Sequence, residues 1–477
     1  MPKIPAGDVF FSSLTDLNRR MVAKEFSSVE LTKAFCDRLE KAGPTYNALA
    51  HSLRKSALMK AKEVDRDLKT SRLRGLLQGI PFGVKDLLNV AGAPCTWGAK
   101  PFAGQIPDED ARVVKKLKYA GAILIGKLSM VELAGGGGYR YPAASLQGPG
   151  LNPWDKARWS GGSSSGSGSA VAAGLASFAL GSETWGSILT PAAYCGITGL
   201  RPTYGYVSRN GAMALSWTMD KIGPMGRTAA DCGHILQAIS GGDDEDPGSA
   251  GKSFYMAPQF QKPFSEMRFG FALADLEYCP DDETRKAFAA ATETLRSLGA
   301  KMVETQLPEF PYNAVASTII AAEGSSVFEP LILNGKIEEL ADQRQIAGLK
   351  AGLQITAKDY LKAMRIRTLI QQAFANLFQD VDVLVSPSRF TVASGINEPL
   401  DRSSTTNPKG STRGLRDLGA AGNLAGLPAL SLPCGFAAGL PLGLQIVSRP
   451  FTENTILAVG MEFQNRTDWH KKYPTVG

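Results

Sequence analysis

Short unbroken apolar runs alternate with longer stretches of helical periodicity along most of this chain. Ile80-Pro81-Phe82-Gly83-Val84 predicts a short strand that opens into a loop at Lys85-Asp86, and Ala122-Ile123-Leu124-Ile125 predicts a fully buried strand. Ala111 to Tyr119 reads as a helix between them. Residues 14–69 read as helices: Ser27 and Glu30 fit a capping box, after which Leu31, Phe35 and Leu39 share one face. Arg54 to Thr70 mixes charge with Ala and Leu, as a helix with a solvated face does. Further on, strands are expected at Phe269 to Leu273, Met302-Val303, Val381 to Ser386, Ala429 to Pro433 and Leu442 to Val447. Helices are expected at Asp281 to Leu298 and near Glu453 to Gln464. This alternation predicts an α/β architecture with a largely buried sheet. The segments 240–265 and 387–415 read as surface loops, and no internal repeat is visible.

One stretch breaks the pattern. From Arg158 to Leu200 the chain is dominated by Gly, Ser and Ala, which build little core but let the backbone approach its neighbours closely. Gly and Ser crowd Gly161 to Ser169, and the small apolar run Ala170 to Leu180 then predicts a helix packed tightly under a sheet. A second Gly/Ser turn spans Gly181 to Ser187. Ser163 and Ser187 lie 24 residues apart, which leaves room for a helix of about a dozen residues and brings the two serines to the same end of it.

Three pieces of this block stand at fixed offsets: Gly161-Gly162-Ser163-Ser164-Ser165-Gly166-Ser167, Gly181-Ser182-Glu183-Thr184-Trp185-Gly186-Ser187-Ile188, and Pro191 to Gly196. Together they resemble the amidase signature family. The similarity is dense from about Ile80 to Ile239. It resumes more loosely at Asn423-Leu424-Ala425-Gly426-Leu427-Pro428-Ala429 and at Gly439 to Gln445. The resemblance implies the amidase signature fold, a large mixed, twisted sheet covered by helices on both faces. One domain over 1–477 is expected, with residues 1–70 docking as helices, 71–240 as the signature core and 241–477 completing the sheet.

The same resemblance implies roles. Ser187 attacks the carbonyl carbon, Ser163 relays the proton behind a cis Gly162–Ser163 peptide, and Lys85, in the context Gly83-Val84-Lys85-Asp86, is the base. Lys85 ends an apolar strand, where desolvation favours the neutral amine. Asp86 is expected to face away from it, because neighbouring strand residues point to opposite sides. The backbone N–H groups of Thr184, Trp185, Gly186 and Ser187 are implied as the oxyanion hole. Gly137, Ser163 and Trp185 are implied or expected to meet substrate, and the run Gly135 to Gly138 reads as a mobile wall of a roomy pocket or as a flexible surface turn.

Three residues depart from the family pattern: Trp185 where many members have Gly, Leu189 where many have Arg, and Glu183 where many have Asp. They bear on the ion-pair support of the nucleophile turn and leave Lys85, Ser163 and Ser187 in place. Trp185 has two readings, filling space beside Leu189 or packing against an aryl or bulky substrate.

Other chemistries are disfavoured. His51, His234 and His470 sit in no constrained loop and read as ordinary surface or packing residues. Gly162-Ser163-Ser164-Ser165-Gly166 matches the GxSxG nucleophile elbow. That elbow must follow a strand, and Asn152 to Trp159, with its Pro and charged residues, is not expected to be one. Gly121 to Lys127 approaches a phosphate loop, yet Leu128 stands at its Ser/Thr position and AILI reads as strand.

The net charge of +7 is scattered and argues little for nucleic acid. Six single cysteines without a CxxC pair fit neither a disulfide framework nor a zinc knuckle. The start MPKIPAGDVFF lacks a signal-peptide core, and no apolar run reaches the ~18 residues of a membrane span. The expectation is a cytoplasmic, stand-alone amidohydrolase, monomer or homodimer. It needs no metal or organic cofactor and acts on small-molecule amides or carbamates, aryl or bulky ones favoured. The alternative is the A-subunit of a glutamine-dependent aminoacyl-tRNA amidotransferase, a branch that usually carries DTGGSIR where this chain has ETWGSIL.

Overall fold

A computed structural model describes residues 9–400 and 414–476. Most of the start that lacks a signal-peptide core (1–8) and much of the expected loop 387–415 (401–413) lie outside the described residues. The strands are β1 (Leu49–Ser52), β2 (Pro81–Lys85), β3 (Ile123–Leu128), β4 (Leu151–Asn152), β5 (Asp155–Trp159), β6 (Phe178–Glu183) and β7 (Thr198–Arg201). They continue with β8 (Lys221–Gly226), β9 (Arg268–Phe271), β10 (Lys301–Glu304), β11 (Val383–Pro387), β12 (Ala429–Ala437) and β13 (Leu440–Ser448). Eleven of them form one sheet in the order β1-β3-β2-β6-β8-β7-β12-β13-β11-β9-β10, and β4 pairs with β5 separately.

The sheet is mixed, as expected. β2 runs parallel to both β3 and β6, and β9 runs parallel to β10 and β11. β8 is antiparallel to β6 and to β7. Because β2 and β6 are parallel neighbours, their C-terminal residues Lys85 and Glu183 emerge at the same edge of the sheet. Phe82 and Phe178 stack between these two strands with ring centroids 5.1 Å apart. All five residues of β2 and all six of β3 are buried, which is what their unbroken apolar runs predict for central strands.

Three expectations change. The run Ala170 to Leu180 is not one helix: the helix is Ser165–Ala172, and β6 follows at Phe178. Gly174, at φ +65°, ends the helix, and Phe178-Ala179-Leu180 supply a strand that fits between β2 and β8. Ser163 and Ser187 are therefore joined by a short helix and a returning strand. Residues 14–69 also include a strand, β1, which covers the β3 edge of the sheet; its half-buried residues give little apolar signal. Asp155–Trp159 is a strand as well, in the small β4–β5 hairpin.

The capping box at Ser27 and Glu30 forms as read, with Ser27 N–H on Glu30 Oε2 at 2.9 Å and Glu30 N–H on Ser27 Oγ at 3.1 Å. The helices Tyr312–Val327, Gln343–Gly352, Ala357–Asp380 and Leu418–Leu424 add to the elements that the sequence predicts. Several of their buried residues, including Ala316, Ile319, Ile370, Phe374 and Leu418, form a second apolar cluster with Leu189 and Met219. No helix among the described residues is long and apolar enough to cross a membrane. All six cysteines are free and buried.

Candidate active site

The site grows from the ends of β2 and β6 and from the loop that precedes the helix Ser165–Ala172. Lys85, the last residue of β2, is fully buried, and its Nζ donates to Ser163 Oγ at 2.7 Å. Nζ also donates to Ser182 Oγ at 3.0 Å and reaches the Ser182 carbonyl at 3.5 Å. Burial pushes the Lys85 ammonium down to about 7, against the opposing pull of Asp220 and Glu183. The next residue, Asp86, points the other way. It pairs with Lys127 Nζ of β3 at 2.9 Å and accepts the Thr96 N–H at 3.0 Å. Strand alternation thus separates the two charges, as expected. The lysine of the near-match to a phosphate loop is this buried partner of Asp86.

Ser163 follows a cis Gly162–Ser163 peptide bond. Its carbonyl accepts the Val131 N–H at 3.1 Å, and the Ser164 N–H donates to the Ser187 carbonyl at 3.3 Å. The second bond ties the two Gly/Ser turns together. Ser163 and Ser187 are 1% and 8% exposed, so both sit in a nearly closed space. Ser164 is engaged elsewhere: its hydroxyl donates to the Ser182 carbonyl at 3.2 Å and accepts the Ser182 N–H at 3.3 Å. A strand does precede it, contrary to expectation, but that strand lies outside the main sheet.

The turn after β6 is shaped by Gly186, at φ +83°, a conformation that favours glycine. Among the described residues, the N–H groups of Trp185, Gly186 and Ser187 donate to no protein atom. Thr184 Oγ1 donates to Asp220 Oδ1 at 2.5 Å, and Asp220 Oδ2 accepts the N–H groups of Leu215 and Ser216 at 2.8 and 2.9 Å.

Glu183 holds the far side of the turn. Its Oε2 accepts the N–H groups of Ile188 and Leu189 at 2.9 and 3.0 Å, at the start of the helix Leu189–Cys195. Its Oε1 accepts from Arg201 Nη1 and from Asn423 Nδ2, each at 2.9 Å. Glu183 is wholly buried, yet Arg201 and these donors overcome its desolvation and hold its carboxyl at about 2. The sequence reading assigns a role to neither Arg201 nor Asn423. The available signal was an arginine inside the run Ile197 to Pro202 and an asparagine opening Asn423-Leu424-Ala425-Gly426. Arg201, on β7, supplies the ion pair that Leu189 cannot.

Of the two readings of Trp185 the structure leaves the substrate-facing one, and the Gly137 loop is tighter than expected. Leu189 is buried in the second cluster, whereas Trp185 is 38% exposed and stands beside Gly419, so Trp185 does not fill core space left by Leu189. Within the run Gly135 to Gly138, Gly138 borders open space but Gly137 is packed against a helix. A Cβ on Gly137 would sit 2.5 Å from the Gln345 carbonyl oxygen and 2.7 Å from the Leu349 nitrogen, so this glycine lets the loop lie directly on the helix Gln343–Gly352. Glu132 anchors the same loop by accepting the N–H groups of Ala341 and Asp342 at 3.0 and 3.1 Å. The three histidines lie elsewhere: His51 on β1, His234 on the helix Ala229–Ile239 and His470 on the short turn Trp469–Lys471.

Comparison with known proteins points to one family. A family model described as Amidase matches residues 30–457. The chain is 36% identical to the glutamyl-tRNA(Gln) amidotransferase A-subunit of Gloeothece citriformis, over 97% of this chain and 99% of that protein. Among solved structures it resembles the native peptide amidase of Stenotrophomonas maltophilia, with a TM-score of 0.85 and 30% identity over 98% of each chain. It also resembles the glutamyl-tRNA(Gln) amidotransferase A-subunit of Thermotoga maritima, with a TM-score of 0.80 and 26% identity over 98% of this chain and 99% of that one. With the family match spanning nearly its whole length, this chain belongs to the amidase family.

Proposed function

We propose that the protein is a serine amidohydrolase that cleaves a C–N bond through an acyl-enzyme on Ser187. The observation that carries this reading is the 2.7 Å hydrogen bond between a fully buried Lys85 and Ser163, on a loop tied to the Ser187 turn. In this scheme neutral Lys85 takes the Ser163 proton while Ser163 takes the proton of Ser187. Ser187 Oγ bonds to the carbonyl carbon, and the C=O electron pair moves onto oxygen. The backbone N–H groups of Thr184, Trp185, Gly186 and Ser187 receive that charge, each such donor contributing about 2.7–4 kcal/mol. Collapse breaks the C–N bond, and the proton returns through Ser163 to the leaving amine. Water then repeats the sequence on the acyl-enzyme. The scheme employs no metal or organic cofactor.

For the substrate, the sequence relatives favour ammonia release from glutamine as the A-subunit of a tRNA amidotransferase, since two of the proteins compared carry that name. This reading includes partner subunits. A second reading rests on Trp185, whose exposed indole next to the nucleophile turn fits a free-standing hydrolase of aryl or bulky amides or carbamates. The test is turnover of glutamine, anilides, carbamates and primary amides by the purified chain, with and without the other subunits of such an amidotransferase. Glutamine hydrolysis that appears only with partners supports the first reading, and partner-independent anilide or carbamate turnover supports the second. Hydrolysis unchanged in Ser187→Ala overturns both.

A further inference from the structure

Lys85 has two neighbours at its amine, and the scheme above uses only one. Ser182 Oγ accepts from Lys85 Nζ at 3.0 Å, and among the described residues its own hydroxyl proton has no protein acceptor. Lys85 and Ser163 are sealed, but Ser182 is only partly buried. It lines a cavity of about 220 Å³, together with Thr184, Asp220, Ala214 and Leu215. That volume has room for several waters, and Ser182, Thr184 and Asp220 are polar partners for them in a lining that is mostly apolar. The cavity extends to the Arg209–Asp246 ion pair, whose nitrogen and oxygen lie 2.6 Å apart, and to the exposed Trp217.

We propose that Ser182, backed by water in this cavity, is the positioning residue that sets both the orientation and the protonation of Lys85. The proposal rests on Lys85 being the base. A serine hydroxyl can accept from an ammonium or donate to a neutral amine, so it holds Nζ toward Ser163 in both states. Its exposed side is also the solvent contact through which a sealed lysine changes state. One N–H bond of the ammonium breaks, its proton passes to Ser182 Oγ, and the Ser182 hydroxyl proton passes to a cavity water and on to bulk buffer.

The charged groups around Lys85 are Glu183 on β6 and Asp220 before β8, both of which favour the ammonium. Lys221 Nζ is occupied by the Met219 carbonyl, and Asp86 is turned to Lys127. A hydrogen bond to the charged ammonium is worth more than one to the neutral amine, so removing the Ser182 hydroxyl disfavours the charged form. The acid limb of the rate profile is therefore expected to move to lower pH.

The experiment compares Ser182→Ala, Ala214→Leu and Lys85→Ala with the wild type on one hydrolysable amide, reading kcat, KM and the pH profile, with thermal melts to check folding. In Ser182→Ala, kcat is expected to fall about tenfold with KM unchanged, and the acid limb to move down by about one pH unit. Ala214→Leu fills the cavity without touching Lys85 and is expected to move the limb the same way by less. If Lys85→Ala abolishes turnover while the limbs of both other variants coincide with the wild type, the role of Ser182 is overturned and the base assignment stands. If Lys85→Ala keeps wild-type activity, the base assignment itself fails.

Discussion

Lys85 Nζ and Ser163 Oγ, contributed by residues 78 positions apart in sequence, lie 2.7 Å from each other in a space closed to solvent around Lys85. Burial holds the ammonium at about 7, far below the ordinary 10.5, so the amine is substantially neutral at physiological pH. Activity is expected to rise from acid toward alkaline pH with a midpoint near 7, because the proposed mechanism takes neutral Lys85 as its base. A rate maximum below pH ~6 would be incompatible with that role. Lys85→Ala is expected to lower kcat by about 10²–10⁴-fold, read from steady-state kinetics.

Glu183 and Arg201 provide a stability test. Both are essentially unexposed, and the carboxylate also receives Asn423 and two backbone N–H groups. Glu183→Ala leaves Arg201 charged and without its carboxylate in the interior, which is expected to cost about 3–5 kcal/mol and to lower Tm accordingly. The sign with pH follows from a folded value of about 2 against an ordinary 4.5. Stabilisation by this group is fully present above 4.5 and is lost as pH falls toward 2. Acid melts of the wild type should show that loss, and melts of Glu183→Ala should show less of it.

Gly137 separates close packing from mobility. At φ +79°, and with backbone of the helix Gln343–Gly352 within 2.7 Å of where a Cβ would stand, Gly137→Ala is expected to destabilise the fold by about 1–3 kcal/mol. A melt indistinguishable from the wild type would mean that the loop is free to move after all.

Trp185→Ala separates the two substrate readings. The side chain is 38% exposed and outside both large apolar clusters, so stability should change by no more than about 0.5 kcal/mol. If the indole packs on substrate, KM for an anilide or aryl carbamate rises about two- to thirteenfold, since an aromatic contact contributes about 0.5–1.5 kcal/mol. Glutamine or acetamide turnover serves as the control that should stay unchanged.

Much of this arrangement is legible in the chain, for identifiable reasons. β2 and β3 are buried on both faces, so each reads as an apolar run, and the position of Lys85 at a strand end follows from it. The two Gly/Ser turns stand out because few other uses require so many small residues at fixed offsets. The segment between them misleads because Ala and Leu serve a buried helix and a central strand equally well, and the helix stop at Gly174 is one glycine in a stretch full of them. The Glu183–Arg201–Asn423 cluster is out of reach: its members lie up to 240 positions apart, and only the closed sheet brings them together. The glycines at 135–138 read as freedom because a sequence gives no hint that Gln345 and Leu349 lie against Gly137.

That cluster also sets a condition on when the protein becomes competent. Glu183, which holds the Ser187 turn, is itself held by Asn423, and its partner Arg201 is held by the Leu427 carbonyl at 3.0 Å. A chain still emerging from the ribosome therefore lacks the brace for Ser187 until synthesis has passed Leu427. A fragment ending near residue 240 contains Lys85, Ser163 and Ser187, yet it should be inert as an amidase.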